Sequence, residues 1–325
     1  MVEKTLSFAR KKLISPQKNK KKRDLIKERK IIGWTLLISI GLSALFYLAA
    51  NKPKVNFSFK LPSFSSPLPK NPSIGKKAPA QLESLVFEII GQDKESWAIW
   101  VEDLENDFIW SYQDKKIFPA VSLIKLPAIT TLYQLIEQKK YQLDQEMILT
   151  KEDIRGGAGS LNSQPIGTKL TLEELARLCL NQSDNTAFAM VKRLLTNQTI
   201  SRNTFSLGLI NTSLEENTTT AQDMALFFKL LYQGELLNQE FTNKLINHLT
   251  DTAFENQIPQ GVPQGIKVAH KVDIEIDSLA DAGLILVPQR PIILVFLTKS
   301  LNQTEVEKTM VDLTREIYWF LVSAD

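Results

Sequence analysis

The sequence predicts an α+β fold in which an antiparallel sheet carries the two terminal helices on one face and accommodates an all-helical insertion. The order of the predicted elements is the first observation that favours this class. A helix and two strands precede a mostly helical block, and three strands and a closing helix follow it. Strands that are grouped in this way, rather than alternating with helices, are typical of α+β domains. The second observation is size, because 325 residues, 43% of them hydrophobic, suffice for a large core.

The N-terminal 50 residues differ from the rest of the chain. Residues 1–30 include twelve Lys or Arg and three Asp or Glu, and residues 31–50 contain no charged side chain. A helix of about 20 apolar residues spans the ~30 Å hydrocarbon core of a bilayer, and basic residues favour its cytoplasmic side. We therefore expect a single-pass membrane anchor at 31–50, with the basic tail 1–30 in the cytoplasm and the remaining chain outside. A cleaved signal peptide is the alternative, although its apolar core usually has only ~7–15 residues.

A linker and one folded domain are predicted to follow the anchor. Residues 51–80 hold six of the fourteen prolines and six lysines, a composition that favours an extended spacer. Residues 81–325 form the folded domain, which we expect to be monomeric. Acidic residues outnumber basic ones there, which argues against a nucleic-acid partner.

Few residues are available for disulfide, metal or cofactor chemistry. Cys179 is the only cysteine, so no internal disulfide can form, and its apolar neighbours predict a core position. His248 and His270 are the only histidines. We predict neither a metal site nor a cofactor.

Periodicity and capping signals place the elements of the domain. Thr171 with Glu174 predicts a capping box, and Thr220 with Asp223 caps a later helix. The predicted elements are a helix from Pro79 to about Gly91, strands 96–102 and 108–113 in a hairpin, helices that begin near Ser122, Thr171 and Asn185, a helix from Thr220 to Gly234, strands 265–271, 282–287 and 292–298, and a closing helix over 305–322.

The candidate site is organised around Ser122 and Lys125. Residues three apart on a helix share a face, so these side chains can touch. A serine hydroxyl needs a neighbouring base to become a nucleophile, and a buried lysine can serve because burial disfavours its charged form. The preceding Pro119 suits a turn into a helix, whose first N–H groups favour negative charge beside Ser122.

Two further motifs follow Ser122-Leu123-Ile124-Lys125: Ser183-Asp184-Asn185 and His270-Lys271-Val272-Asp273. In this order they resemble the class A β-lactamases and penicillin-binding serine hydrolases, whose signature combines Ser-x-x-Lys, Ser-Asp-Asn and Lys-Thr-Gly. Other segments that resemble the family, also in its order, are Phe118-Pro119-Ala120-Val121, Gly159-Ser160-Leu161, Leu172-Glu173-Glu174-Leu175, Thr218-Thr219-Thr220-Ala221 and Asp281-Ala282-Gly283. The resemblance covers the chain from about residue 80 to its end.

The resemblance implies a β-lactamase/DD-peptidase-like fold and a set of catalytic roles. Ser122 would attack the carbonyl of a β-lactam or of a D-alanyl peptide from peptidoglycan and form an acyl-enzyme. Lys125 would accept or relay its proton. Ser183 would pass a proton to the leaving nitrogen, and Lys271 would hold the Ser183 hydroxyl and supply positive charge near the substrate carboxylate.

Substrate binding is where the sequence departs from the family. Asn185 is expected to orient Lys125 and the substrate amide, and the backbone N–H groups of Ser122 and Ile274 to bind the oxyanion. Val272 replaces the threonine of Lys-Thr-Gly and removes a hydroxyl that would bind the substrate carboxylate. Asp273 replaces the glycine, and if it points inward it would repel an anionic substrate.

The loop before Thr218 is a second departure, because it is short and lacks the family's Glu-x-x-Leu-Asn pattern. Glu215 or Glu216 is available to drive water onto an acyl-enzyme, but their spacing does not match, and exposed loop charges are the simpler interpretation. The leading hypothesis is a membrane-anchored, extracytoplasmic β-lactamase-type serine hydrolase. The alternatives are a D-alanyl-D-alanine carboxypeptidase or transpeptidase and a catalytically impaired wall-binding homologue.

Overall fold

The computed structural model describes residues 78–299 and 302–323. In chain order these form α1 (Pro79–Ile90), β1 (Trp97–Asp103), β2 (Phe108–Tyr112), β3 (Phe118–Pro119), α2 (Lys125–Glu137), β4 (Glu146–Ile148), β5 (Lys169–Thr171), α3 (Leu172–Asn181), α4 (Asn185–Leu195), α5 (Asn197–Ser206), β6 (Thr218–Thr219), α6 (Ala221–Gln233), α7 (Gln239–His248), α8 (Ile258–Gly261), β7 (Val268–Glu275), β8 (Ser278–Ile285), β9 (Ile292–Thr298) and α9 (Gln303–Val322).

The predicted N-terminal segments cannot be compared with this structure. The basic tail 1–30, the anchor 31–50 and nearly all of the linker 51–80 lie outside the described residues, so they stay predictions. Within the described ranges, no helix is both long and apolar enough to cross a bilayer.

The predicted α+β class is confirmed. An antiparallel sheet of order β2-β1-β9-β8-β7 forms the centre, and β7 is one of its edges. α1 and α9 pack on one face against residues such as Trp97 and Phe296. The helical part of the chain packs on the other face, which includes Ala282 and Val295. Because both faces are covered, β8 and β9 are buried along their whole length.

The helix signals in the sequence are confirmed at their ends. α1 begins at Pro79 and stops before Gly91. Thr171 and Glu174 form the predicted capping box at the start of α3. The Thr220 side chain caps α6, which ends at Gly234 with φ +70°.

The predicted bounds of the last hairpin are wrong. Strand 265–271 is β7, which continues to Glu275, and strand 282–287 is β8, which already begins at Ser278. The turn between them has Ile276 and Asp277, without the glycine that marks most two-residue hairpins. β8 also includes Asp281 and Gly283, residue types that are depleted in strands. Lys271 therefore lies in the middle of a strand and not at its end.

The helical block contains helices that the sequence did not predict. α5 buries only Ile200 and Thr204, so its sequence has little apolar periodicity to detect. α7 and the short α8 were also missed. α5 and α7 contribute to the core of the helical block, whereas α8 packs against α9 on the other face of the sheet. None of the three alters the order of the motifs.

Candidate active site

Ser122 lies at the junction between a short strand and a long helix. The strand pair β3–β6 ends just before it, and the Ala120 N–H donates to the Asn217 carbonyl at 2.8 Å. A 3₁₀ turn over Val121–Ile124 then leads into α2. Val121 has φ +43°, and a β-branched residue in this region costs about 1–3 kcal/mol. The strained turn fixes Ser122 at the helix start, where the dipole favours negative charge.

Lys125 is packed directly against Ser122. Its Nζ donates hydrogen bonds to Ser122 Oγ at 2.8 Å, to Asn185 Oδ1 at 2.8 Å and to the Ser183 carbonyl at 2.6 Å. The side chain is only 2% exposed. Burial lowers the pKa of Lys125, and the nearby negative charges of Asp273 and Asp184 offset this only in part. An amine that loses its proton easily, at this distance from a hydroxyl, can act as the base.

Ser183 connects the two lysines of the site. It has φ +55° in the turn between α3 and α4. Its hydroxyl donates to Ser122 Oγ at 2.8 Å, while Lys271 Nζ donates to Ser183 Oγ at 2.9 Å. Ser122, Ser183 and Lys271 therefore form a continuous chain of hydrogen bonds along which a proton can pass.

Asp184 holds this turn in place. One carboxylate oxygen accepts from the Ala187 N–H at 2.8 Å and so caps α4. The other accepts from the N–H groups of Ser160 and Leu161, each at 2.8 Å. A Cβ on Gly159 would lie 2.2 Å from the Asp184 carboxyl, so only glycine allows the loop so close. Sequence reasoning did not assign this positioning role, although an aspartate before a helix is a capping signal.

Asn185 links Lys125 to the opposite wall of the site. Its amide nitrogen donates to the Gly156 carbonyl at 3.0 Å, while its oxygen accepts from Lys125. A Cβ on Gly157 would meet that nitrogen at 2.7 Å. The glycine-rich loop 156–159 therefore lies over Asn185 without side chains of its own between them.

Lys271 enters the site from β7. Its side chain is 2% exposed. Burial, together with the positive charge of Lys125, lowers the pKa of Lys271 to about 7. Two buried amines that repel each other do not both hold a proton easily. Near neutral pH, one of them is therefore available as a base.

The residues after Lys271 continue along the edge of the sheet. Val272 is buried and brings no hydroxyl to the site. Asp273 follows on the same face as Lys271, since strand residues alternate. Its Oδ1 accepts a hydrogen bond from the Ile274 N–H at 3.0 Å. The N–H expected to bind the oxyanion is thus occupied by a carboxylate.

Glu215 and Glu216 lie in a tight reversal of the loop before β6. Ser213 and Thr218 pair across it, and the Glu216 N–H donates to Ser213 Oγ at 3.2 Å. Both glutamates are exposed. The structure therefore places them as exposed loop charges, as their spacing indicated.

His270 does not join the serine site. Its Nδ1 lies 2.8 Å from Asp281 Oδ1 and its Nε2 lies 3.4 Å from Glu255 Oε1. Burial alone would lower its pKa, but the charge and hydrogen bond of Asp281, with those of Glu255, outweigh burial and raise the pKa to about 9. His270 is therefore held as a buried imidazolium between carboxylates. Across the described ranges, no group of three or more potential ligand side chains forms a metal site.

The antiparallel sheet with its helical block, and the Ser122–Lys125–Ser183–Lys271 network, define a serine hydrolase of the β-lactamase kind. Residues 81–321 match the model of the β-lactamase enzyme family, and the chain belongs to that family. No curated protein sequence matches the chain.

Solved structures share the fold at low sequence identity. A mutant of PBP-A, solved as its acyl-enzyme complex with penicillin G, is 22% identical, with a TM-score of 0.69 over 74% of this chain and 95% of that one. A β-lactamase from Sphaerobacter thermophilus DSM 20745 is 22% identical, with a TM-score of 0.70 over 74% and 97% of the two chains. A β-lactamase from Chitinophaga pinensis DSM 2588 is 20% identical, with a TM-score of 0.69 over 75% and 100%.

Proposed function

We propose that this protein is an acyl-transfer hydrolase that β-lactams acylate at Ser122 and that releases the acyl group to water. The hydrogen-bond network around Ser122 carries this proposal. Ser122 Oγ lies 2.8 Å from Lys125 Nζ and 2.8 Å from Ser183 Oγ. Both neighbours are buried, so the network works in a medium of low polarity where proton affinities are shifted.

The geometry supports a simple sequence of proton transfers. The neutral Lys125 amine accepts the Ser122 proton as Oγ bonds to the carbonyl carbon, which becomes tetrahedral. The carbon–nitrogen bond then breaks, and the leaving nitrogen takes a proton from the Ser183 hydroxyl. Lys271, at 2.9 Å from Ser183 Oγ, returns a proton to it. Water then attacks the ester carbonyl and the bond between that carbon and Ser122 Oγ breaks. Lys125 returns its proton to Oγ, and the proton of the water passes through Ser183 to the now neutral Lys271.

The second candidate is a D-alanyl-D-alanine carboxypeptidase or transpeptidase acting on peptidoglycan stem peptides. The exposure of Glu215 and Glu216 favours it, because neither is placed to activate water at an acyl-enzyme. Acylation without an efficient deacylation step gives a long-lived adduct with a β-lactam. The third candidate, a wall-binding protein of impaired activity, is motivated by Val272 and Asp273.

Intact-mass measurement of the full-length chain after incubation with penicillin G separates these candidates. PBP-A, which shares this fold, forms an acyl-enzyme with that compound, which supports it as a probe. A transient adduct with product release supports the β-lactamase, and a persistent adduct supports the peptidase. Ser122→Ala must abolish the adduct in either case. Absence of any adduct at short and long times favours the impaired homologue.

We also propose that residues 31–50 anchor the protein in the bacterial cytoplasmic membrane, with the hydrolase domain outside. The support is the uncharged run itself and the twelve Lys or Arg residues that precede it. Protease added to intact spheroplasts should digest the hydrolase domain and leave the N-terminal tail protected. Protection of the domain instead would contradict this topology.

A further inference from the structure

The carboxylate of Asp273 lies beside the reactive groups of the site. Lys271 and Asp273 are on the same face of β7, because alternate strand residues share a face. The negative charge of Asp273 acts on both Lys125 and Lys271, and in each case raises the pKa of the amine against the effect of burial. The Asp273 side chain is partly exposed and lies on the face of β7 from which Lys271 enters the site.

Asp273 also occupies a backbone donor that faces the site. β7 is an edge of the sheet, so every second N–H points away from β8. The His270 N–H points that way, since it donates to the Leu249 carbonyl at 2.8 Å. Ile274, four residues later, has the same orientation, and its N–H donates to Asp273 Oδ1 at 3.0 Å. An oxyanion that develops there competes with a negative charge already in place.

The position of Asp273 relative to a substrate follows from the proton transfers. Ser183 protonates the leaving nitrogen, and Lys271 donates a hydrogen bond to Ser183 from β7. On the same face of β7, Ala269 is fully buried and Asp273 is partly exposed, so substituents on the leaving side extend past Lys271 toward Asp273. A carboxylate in that position meets a like charge, and Val272 offers it no hydroxyl. A carboxamide there can donate its N–H to the free carboxylate electron pairs of Asp273 and meets no repulsion.

We propose that Asp273 is a specificity-determining residue that selects acyl substrates with a carboxamide, rather than a carboxylate, on the leaving-group side of the scissile amide. This inference rests on the proposed acylation of Ser122. It names the substrate class of the same site.

The test compares penicillin G with its carboxamide derivative as acylating agents of the full-length chain, with the rate of adduct formation followed by intact mass. The wild-type protein should react with the carboxamide faster than with the acid by about tenfold or more, because like charges in close contact are strongly unfavourable. Asp273→Asn removes the charge and keeps an acceptor for the Ile274 N–H. In that variant the ratio should fall to about one or reverse.

Two other variants complete the test. Asp273→Ala removes both the charge and the acceptor, so it should accelerate acylation by both compounds as well as lower their ratio. Glu275→Gln is the matched control, since Glu275 is an exposed carboxylate two residues further on the same face of β7. Its carboxamide-to-acid ratio should equal that of the wild type.

The outcomes separate the inference from the function on which it rests. If the wild type and Asp273→Asn are both acylated with the same carboxamide-to-acid ratio, the specificity role is overturned while acylation of Ser122 stands. An equal change of the ratio in Glu275→Gln also overturns the specificity role, because any nearby negative charge would then have the same electrostatic effect as Asp273. If no variant forms an adduct with either compound, the proposed function itself fails, and the inference fails with it.

Discussion

His270 and Lys271 are neighbours in β7 and both are fully buried, but their pKa values shift in opposite directions. Lys271 faces the helical block, where its Nζ donates to the uncharged Ser183 hydroxyl and a positive charge on Lys125 would repel its own. His270 faces the terminal helices and lies between the carboxylates of Asp281 and Glu255. The pKa of Lys271 falls to about 7, whereas that of His270 rises to about 9.

The comparison shows that burial does not by itself decide what a charged side chain does. Burial disfavours the charge of both groups, but only His270 has carboxylates within hydrogen-bond distance to restore it. A buried cation that is paired in this way holds its proton and stabilises structure. A buried amine without such a partner gives its proton up easily, which is what a catalytic base requires. The two clusters therefore make different predictions for activity and stability.

The largest effect is expected in the lysine cluster. Lys125→Met removes the amine that accepts the Ser122 proton, so the acylation rate constant should fall by about 10²–10⁴-fold. The free energy of unfolding should change by less than about 2 kcal/mol, because an apolar side chain of similar length replaces a desolvated amine. Acylation kinetics with penicillin G and denaturant unfolding measure the two quantities.

Lys192→Met is the control for that change. Lys192 lies over the same Phe188 ring, at 4.9 Å from its centroid compared with 5.7 Å for Lys125. It should retain acylation within about twofold, because it shares the Phe188 ring with Lys125 but, in the part of the chain that the structure describes, donates no hydrogen bond to Ser122. A comparable loss in both variants would argue that Lys125 acts through packing alone.

In the histidine cluster we expect the opposite result, which is a large loss of stability with little change in the acylation rate. Asp281 accepts from His270 with one oxygen and from the Ile258 N–H, at 3.0 Å, with the other. Asp281→Asn supplies only one acceptor to these two donors and leaves the imidazolium without its main counter-charge. The free energy of unfolding should fall by about 3–5 kcal/mol.

Denaturant unfolding of Asp281→Asn at pH 7 measures this loss. In the folded fraction, the rate of acylation at Ser122 should be close to that of the wild type. Asp312→Asn is the control, because Asp312 pairs with Lys308 and Arg315 at the surface and such pairs contribute less than about 1 kcal/mol. Equal losses in the two variants would contradict a buried ion pair at His270.

A smaller effect is expected at Gly283, which lies opposite His270 in the β7–β8 pair. A Cβ there would lie 2.5 Å from the His270 Cβ. Gly283→Ala should therefore push the imidazole away from Asp281 and lower the free energy of unfolding by about 1–3 kcal/mol. Thermal unfolding checks this, with Gly156→Ala as a comparison at an open position whose backbone is not left-handed. An unchanged midpoint for Gly283→Ala would show that the strand shifts to make room.

These two clusters also show what the sequence could and could not predict. The site motifs were visible because each has a short, fixed spacing, such as the two residues between Ser122 and Lys125. The histidine cluster was not, because His270 and Asp281 meet through the pairing of β7 with β8, and Glu255 reaches His270 from the loop before α8. The start of β8 was mispredicted, since Asp281 weakens the strand pattern. Asp281 is also the main partner of His270, so the local signal failed where tertiary contacts decide the structure.

The orientation of Asp273 is a second feature that the sequence alone could not predict. Its position two residues after Lys271 identified a departure from the family. The direction of its side chain, however, depends on strand alternation and on which edge of β7 is free. Neither could be known while the strand was predicted to end at residue 271. The structure continues β7 to Glu275, and strand alternation then places the partly exposed Asp273 on the same face as Lys271.

The pH dependence of acylation tests whether the buried amines of the lysine cluster lose their protons more easily than ordinary lysines. Deprotonation of Lys125 provides the base that accepts the Ser122 proton, and burial lowers the pKa of this amine. The acylation rate constant should therefore rise with pH, by up to about tenfold per unit below the controlling pKa. It should level off well below pH 10.5, the ordinary pKa of lysine. A rate that climbs without a plateau to that pH would mean that the amines are solvated.

The weakest effect is expected in the pH dependence of stability. The pKa of His270 is raised from 6.5 to about 9 on folding, so its paired charge stabilises the native state fully below pH 6.5. That contribution is lost as the pH rises through about 9, because the folded imidazolium then releases its proton. The difference in unfolding free energy between the wild type and Asp281→Asn should therefore narrow from pH 6.5 upward. Comparing the two variants cancels the opposite trend of Lys271, whose lowered pKa makes the protein more stable as the pH rises above about 7. A difference that stayed constant across this range would mean that His270 is neutral in the folded protein and that Asp281 acts only as a hydrogen-bond acceptor.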